Sequence, residues 1–279
     1  MVRLRIFGLY SSILILLFGC EDVIEVNVPD EEPRLIVNAL IRIDPDSQIV
    51  DYEVKVSLTD SFFGELPVTN LQQIAIGGLI LVDYDDPGSG VYRQRGTLSS
   101  LEPGQEMILQ IDWEDRLYFA RTPYVETVPL DRIELGTETL FDEDDTEIII
   151  TFTDPGNRND FYVFDLGFGN FTTVEDQFIQ GQQFSFSYFY DQQFEPGQEL
   201  TVSILGADLN FYNYMNQLIE QSEDTFGVFE TPASTVRGNI FDVTELDNID
   251  FFDNVLIPDE FALGYFAVVQ EYTQTITVE

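Results

Sequence analysis

Histidine is absent from this 279-residue chain, and cysteine occurs once, at Cys20. The first absence removes Ser-His and Cys-His nucleophile pairs, imidazole bases and histidine zinc sites together. The second removes any intramolecular disulfide. Lysine is nearly missing as well, with Lys55 alone beside eleven arginines. Chemistry would therefore have to rest on carboxylates, tyrosines, hydroxyls, Lys55 or a hard metal ion. With 51 acids, carboxylate pairs at glycosidase spacing arise by chance, and the sequence singles out none. The chain is read as no enzyme; a carboxylate-dependent hydrolase is the least favoured alternative.

Positive charge is the next scarcity. Twelve basic residues face 51 acids, for a formal charge of −39. Such a surface repels nucleic acid and anionic headgroups, which excludes both as binding partners of the folded body. Self-repulsion of this size opposes compaction in dilute buffer. It fades in about 1 M salt, where the screening length is roughly 3 Å. Abundant acid with little lysine reads as adaptation to salty surroundings.

What is present begins at the N-terminus. Arg3 and Arg5 precede an uncharged apolar run, Ile6 to Phe18, then Gly19 and Cys20. The run is short of the ~20 residues of a spanning helix and has the layout of a secretory signal, assigned to residues 1–19. Leu17-Phe18-Gly19-Cys20 resembles a bacterial lipobox, which makes Cys20 the lipid attachment point. Several acyl chains hold stably where one holds marginally, at roughly 0.8 kcal/mol per buried methylene. Without the signal, ten basic residues remain against all 51 acids, a formal charge of −41. Residues 20–33 read as an acidic, lipidated tether. Its Glu21 and Asp22 resemble the export signal of surface-exposed Bacteroidota lipoproteins.

Beyond the tether, 44% apolar and 14% aromatic residues supply a packed core. Short β-branched and aromatic runs recur at 34–43, 50–58, 77–84, 90–95, 105–113, 116–121, 146–154, 160–168, 183–191 and 198–205. Clusters such as DPDS, DDPGSG and EPG separate them. The expected class is mainly β: two immunoglobulin-like β-sandwich domains in tandem, at 34–127 and 128–279, parted near TPYVETVPLD (122–131). EPGQE occurs twice, at Glu102–Glu106 and Glu195–Glu199, each time before an alternating strand. It resembles the turn that enters a late strand of such sandwiches. The second domain carries an inserted helix near 208–222, with Phe211, Tyr212, Met215, Leu218 and Ile219 at helical spacing and Asp208 as its cap. ALGYFAVVQEYTQTITV (262–278) reads as a closing strand pair.

Three stretches carry a family resemblance. GVYRQRGTLSSLEPGQEMILQIDWEDRLYFARTPYVETVP is similar to a first-domain ending, and TFTDPGNRNDFYVFDL to a second-domain opening. TPASTVRGNIFD with ALGYFAV resembles a C-terminal signature. Together they are similar to the domain of unknown function four-two-four-nine, found in outer-membrane lipoproteins of Bacteroidota. The resemblance implies a lipid-anchored outer-membrane location, facing outward, and an accessory or ligand-binding role beside a TonB-dependent transporter. It implies no catalytic residues. The alternative role is a carbohydrate-binding or adhesive surface module.

Candidate contact residues follow from local chemistry. Phe251 and Phe252 sit among acids, and Arg237 is one of few cations. Tyr188 shares a strand face with Phe184, Phe186 and Tyr190. That face reads as the inside of a sandwich before it reads as a sugar platform. The 208–222 helix with the 251–266 loop is the expected contact surface. In FDEDDTE, Asp142, Asp144 and Asp145 are the candidates for calcium, which takes six to eight oxygens. The run lacks the EF-hand glycine, and the favoured reading is a solvated loop without a cofactor.

Overall fold

The computed structural model describes residues 33–59, 69–83, 88–97, 101–140, 145–222, 235–244 and 261–278. All lie in one unit, Pro33–Glu279. Cys20, Glu21, Asp22, Asp142, Asp144, Phe251 and Phe252 lie outside the described residues.

The protein is mainly β. Strand β1 (Leu35–Ile43) buries Leu35, Val37, Ala39, Ile41 and Ile43 at strict alternation. In β2 (Ile49–Leu58) the same period buries Val50, Tyr52, Val54 and Val56. Five more strands follow: β3 (Gln73–Ile76), β4 (Leu79–Ile80), β5 (Val91–Thr97), β6 (Glu106–Trp113) and β7 (Arg116–Val125). The remaining strands are β8 (Leu130–Leu135), β9 (Thr146–Thr153), β10 (Phe161–Asp165), β11 (Phe171–Glu175), β12 (Gln183–Tyr190), β13 (Glu199–Ala207), β14 (Phe241–Asp242) and β15 (Leu263–Thr277). Helix α1 spans Leu209–Ser222. Its start is capped as expected, the Phe211 amide donating to Asp208 Oδ1 at 2.8 Å.

The first half does not close on itself. Its strands run β5-β2-β1-β15-β7-β6-β3-β4, so the C-terminal strand β15 lies between β1 and β7, parallel to both. Val82 and Arg93 exchange backbone hydrogen bonds at 2.9 and 3.0 Å between the outer strands, and the sheet is nearly closed into a barrel. The tail expected to form a strand pair is one strand, because its first half completes this sheet and its second half pairs with β13.

In the second half, the three-stranded sheet β12-β9-β8 packs on β11-β10-β13 and the distal part of β15. Ile148, Ile150 and Phe152 from one layer meet Tyr162, Phe164, Val202 and Ile204 from the other. The first apolar cluster runs to Tyr124 and takes in Ile240, Ala262, Phe266 and Val268, while the second begins at Val128. On the opposite face of β10, β13 and β15, Phe211 and Met215 of α1 pack against Val163, Leu205, Tyr265 and Ala267.

Both EPGQE copies build the same turn. Gln105 N–H donates to Glu102 O (2.9 Å) and Gln198 N–H to Glu195 O (3.1 Å). Gly104 and Gly197 adopt φ of +80° and +95°, which glycine supplies without steric cost. Each glycine amide donates to the strand beside it, Tyr124 O or Val278 O, both at 2.8 Å.

Candidate functional site

Arg237 opens the RGN segment, whose three residues each have a distinct job. A Cβ on Gly238 would sit 1.6 Å from Gly264 O, so glycine alone lets the segment lie on β15. Asn239 receives the Phe266 N–H (2.9 Å) and donates to Phe266 O (2.8 Å), standing in for a neighbouring strand. The Arg237 guanidinium stacks over the Phe261 ring at 4.0 Å, and Arg34 reaches the same ring at 4.5 Å.

The fixed segment forms one wall of a cleft of about 410 Å³, and α1 forms the other. Asn210, Asn213 and Gln217 recur at i, i+3 and i+7 along the helix and line the cleft with Tyr214. Arg121, Arg237, Phe241 and Tyr265 complete the opposite side. Tyr214 and Tyr265 rings lie 4.7 Å apart, and burial pushes both phenols above their ordinary range. For Tyr265 the nearby Asp208 adds to that rise. No Asp or Glu is among the described lining residues, in a chain where 51 of 279 residues are acidic. The described lining offers hydrogen-bond donors and aromatic edges, which can bind and orient a ligand. A second concavity of about 500 Å³ lies beside β2, β3, β5 and β6, where Tyr52, Ala75, Met107 and Ile108 meet Thr97, Gln105 and Glu106.

The acids that converge differ from those expected. Asp154, Asp160 and Asp176 are all buried and bring carboxylate oxygens within 4.8 Å of one another. Tyr162 OH donates to Asp154 Oδ1 at 2.5 Å and Gly181 N–H to Asp154 Oδ2 at 2.9 Å. The Asp160 amide donates to Asp176 Oδ2 (2.8 Å), and Arg158 Nε to Asp160 Oδ2 (2.8 Å). Arg158 also pairs with Glu126. Burial foremost, then the charges of Asp154 and Asp176, raises Asp160 above the usual carboxylate range, and Arg158 opposes the rise. The trio could present oxygens to a calcium ion. Its evident work is to tie the β9–β10 loop to the 176–181 turn. By contrast, Asp145 accepts the Leu140 amide at 3.0 Å and is not part of that trio.

Tyr188 lies on β12, half-buried, its ring 5.0 Å from Tyr190, with Phe184 and Phe186 packed on the same core. That is the inward face anticipated from alternation. Residues 210, 213 and 217 were legible as the polar face of a helix, and Arg121 as a strand-end cation; nothing local joined them. The Asp154-to-Asp160 spacing sits inside the TFTDPGNRND motif, but its third member, Asp176, lies beyond it.

The family model described as domain of unknown function DUF4249 matches residues 21–275. The chain belongs to this family. Among curated proteins none matches the sequence. The solved structure of red sea bream transglutaminase is similar at 8% identity and a TM-score of 0.25, over 90% of this chain and 32% of that one. Among the described residues, no helix of this DUF4249 member is long and apolar enough to cross a membrane.

Proposed function

We propose that this DUF4249 chain is a lipoprotein anchored through Cys20 at the outer membrane. There it acts without catalysis as a ligand-binding or accessory partner of a TonB-dependent transporter. The anchor reading is supported by the signal-like segment and the lipobox-like LFGC, with Glu21 and Asp22 favouring the outer face. The observation that carries the binding reading is the donor-lined cleft between α1 and the Arg237–Phe241 segment. A rigid concave site with convergent polar groups is what small-ligand recognition uses.

Extraction of the tagged chain from native membranes in mild detergent tests the partnership. A β-barrel transporter should co-purify; recovery of this chain alone in repeated preparations would dismiss the accessory role. Mass spectrometry should find diacylglycerol and acyl mass on Cys20, and an unmodified cysteine would remove the anchor.

A carbohydrate-binding or adhesive role is the second reading, favoured by Phe168. This side chain is 64% exposed at the β10–β11 tip, in left-handed conformation between Gly167 and Gly169. Glycan-array binding lost in Phe168→Ala, with unfolding unchanged, would support it. We also read the two larger apolar clusters as two units of immunoglobulin-like type, supported by the repeated EPGQE turn; the first unit takes Ile240, Ala262, Phe266 and Val268 from the C-terminal part of the chain.

A further inference from the structure

We propose that strand β12 is the docking edge for a second copy of this chain. The two β12 strands pair antiparallel about a two-fold axis at Phe186 and continue one sheet across both molecules. The inference goes beyond the binding and transporter readings above and rests on neither.

The two margins of the three-stranded sheet are built differently. Among the described residues β12 pairs with β9 alone, and β8 forms the other margin. Strand β8 carries Asp131, Arg132 and Glu134, with a bulge between Leu130 and Arg132. Gln274 of β15 also donates to Leu130 O at 2.7 Å. Charges, bulges and covering groups keep an edge from recruiting another strand. Strand β12, QFSFSYFY, has no charge, proline, glycine or register break along its length. Its uncharged stretch reaches back to Gln177 and is bounded by Asp176 and Asp191, in a chain where 51 of 279 residues are acidic. Two chains so anionic repel each other, and an uncharged edge is where that repulsion opposes contact least.

The backbone of this margin points outward at defined positions. The Asp154 amide donates to Gln182 O at 3.0 Å, which extends the β9–β12 pairing by one residue and fixes its phase. Residues 184, 186, 188 and 190 therefore turn their N–H and C=O groups toward β9. Gln183, Ser185, Ser187 and Phe189 turn theirs away from it. Side-chain burial marks the same margin. Phe184, Phe186 and Tyr188 are half-buried, whereas Ile148, Ile150 and Phe152 on β9 are fully buried, because the sheet ends at β12.

A second copy is the partner that this pattern fits, because a two-fold axis requires a surface that complements itself. With the axis at Phe186, Ser185 faces the partner's Ser187 and Phe184 faces the partner's Tyr188. Gln183 faces the partner's Phe189. Aromatic rings meet on the core side, serines meet on the outer side, and the outward amides and carbonyls exchange hydrogen bonds. A shift of one residue would set those groups against residues whose own are spent on β9. The contact is narrow beside the roughly 1,600 Å² of a standard interface. A dissociation constant on the order of 10 µM is expected.

The test is sedimentation equilibrium of the full chain, extracted from membranes in density-matched mild detergent, in ~0.5 M NaCl to screen the repulsion. Wild type should reach the mass of two copies as its concentration rises to about 100 µM. Ser185→Pro removes one outward N–H while keeping an extended backbone, and Ser185→Asp sets a carboxylate on each edge. Each should weaken association tenfold or more. If proline disturbs the fold, as seen by circular dichroism, the aspartate variant carries the test alone. Hydrogen exchange reads the position: amides of segment 183–189 should slow with concentration in wild type and not in Ser185→Asp. A wild type that stays monomeric, that associates as tightly with Asp at 185, or that associates with exchange at 183–189 unchanged overturns the proposal.

Discussion

At the residue scale, two glycines govern the C-terminal motif. Gly238 faces the Gly264 carbonyl, and Gly264, at φ +91°, would place a Cβ 1.9 Å from Val37 O. Three backbone segments therefore stack with no room for a methyl group. Gly238→Ala should cost about 3 kcal/mol or more, against roughly 1 kcal/mol for Gly104→Ala, whose φ is positive but whose surroundings are open. Thermal unfolding compares them, and equal losses would refute the close stacking. A buried carboxylate gives a second prediction. Ser187 Oγ donates to Glu147 at 2.5 Å, and the amides of Glu138 and Thr137 also bond it. The serine bond is the foremost cause holding Glu147 below its ordinary range. Its stabilising contribution is present above the unfolded glutamate value and is lost as pH falls through the lower folded value. Asp160, raised by burial, has the opposite sign: its contribution is complete below the unfolded aspartate value and lost as pH rises. Ser187→Ala should move the acid-unfolding midpoint, followed by circular dichroism between pH 2 and 7, to higher pH. An unmoved midpoint would show that the serine bond does not set the acid limit.

At the element scale, β15 joins the two cores, with a clamp beside it. Arg42 on β1 donates to Asp165 on β10 at 2.6 Å and to Glu271 on β15 at 3.2 Å. Its side chain is 30% exposed and the acids 20% and 17%, so water screens the group only in part. Arg42→Met keeps the apolar stem and strands two neighbouring carboxylates. A loss of about 1–3 kcal/mol is expected from the denaturant midpoint, with part recovered when Glu271→Gln is added. No loss would mean that strand pairing alone holds the cores together. Strands β3, β8 and β14 fall outside the runs read from the sequence, but most strands were readable because alternate burial leaves its mark within a few residues. So was α1, whose cap and apolar spacing are local. Strand β11 was harder: FTTVE has one aromatic, and its residues are only partly buried or exposed.

At the scale of the whole molecule, a formal charge of −39 acts on everything. Surface carboxylates repel over roughly 10 Å at 0.1 M salt and over about 3 Å at 1 M. Scanning calorimetry in 50 mM and 2 M NaCl should show the melting temperature rising by about 5 °C or more, the shift expected from roughly 2 kcal/mol in a chain this size. Equal melting temperatures would remove the reading of salt adaptation. The sequence by itself determined the β class, the turns, the helix with its cap, and the absence of thiol and imidazole chemistry from the folded body. These depend on composition or on neighbours within one or two turns of chain. Only the tertiary structure decided that β15 separates β1 from β7, that Arg42 meets Asp165 across 123 positions, and that Arg121 and Arg237 face the amides of α1. Side-chain periodicity records which face of a strand is buried. It carries no mark of which distant strand or helix will bury it, because that choice is made by the packing of the whole chain.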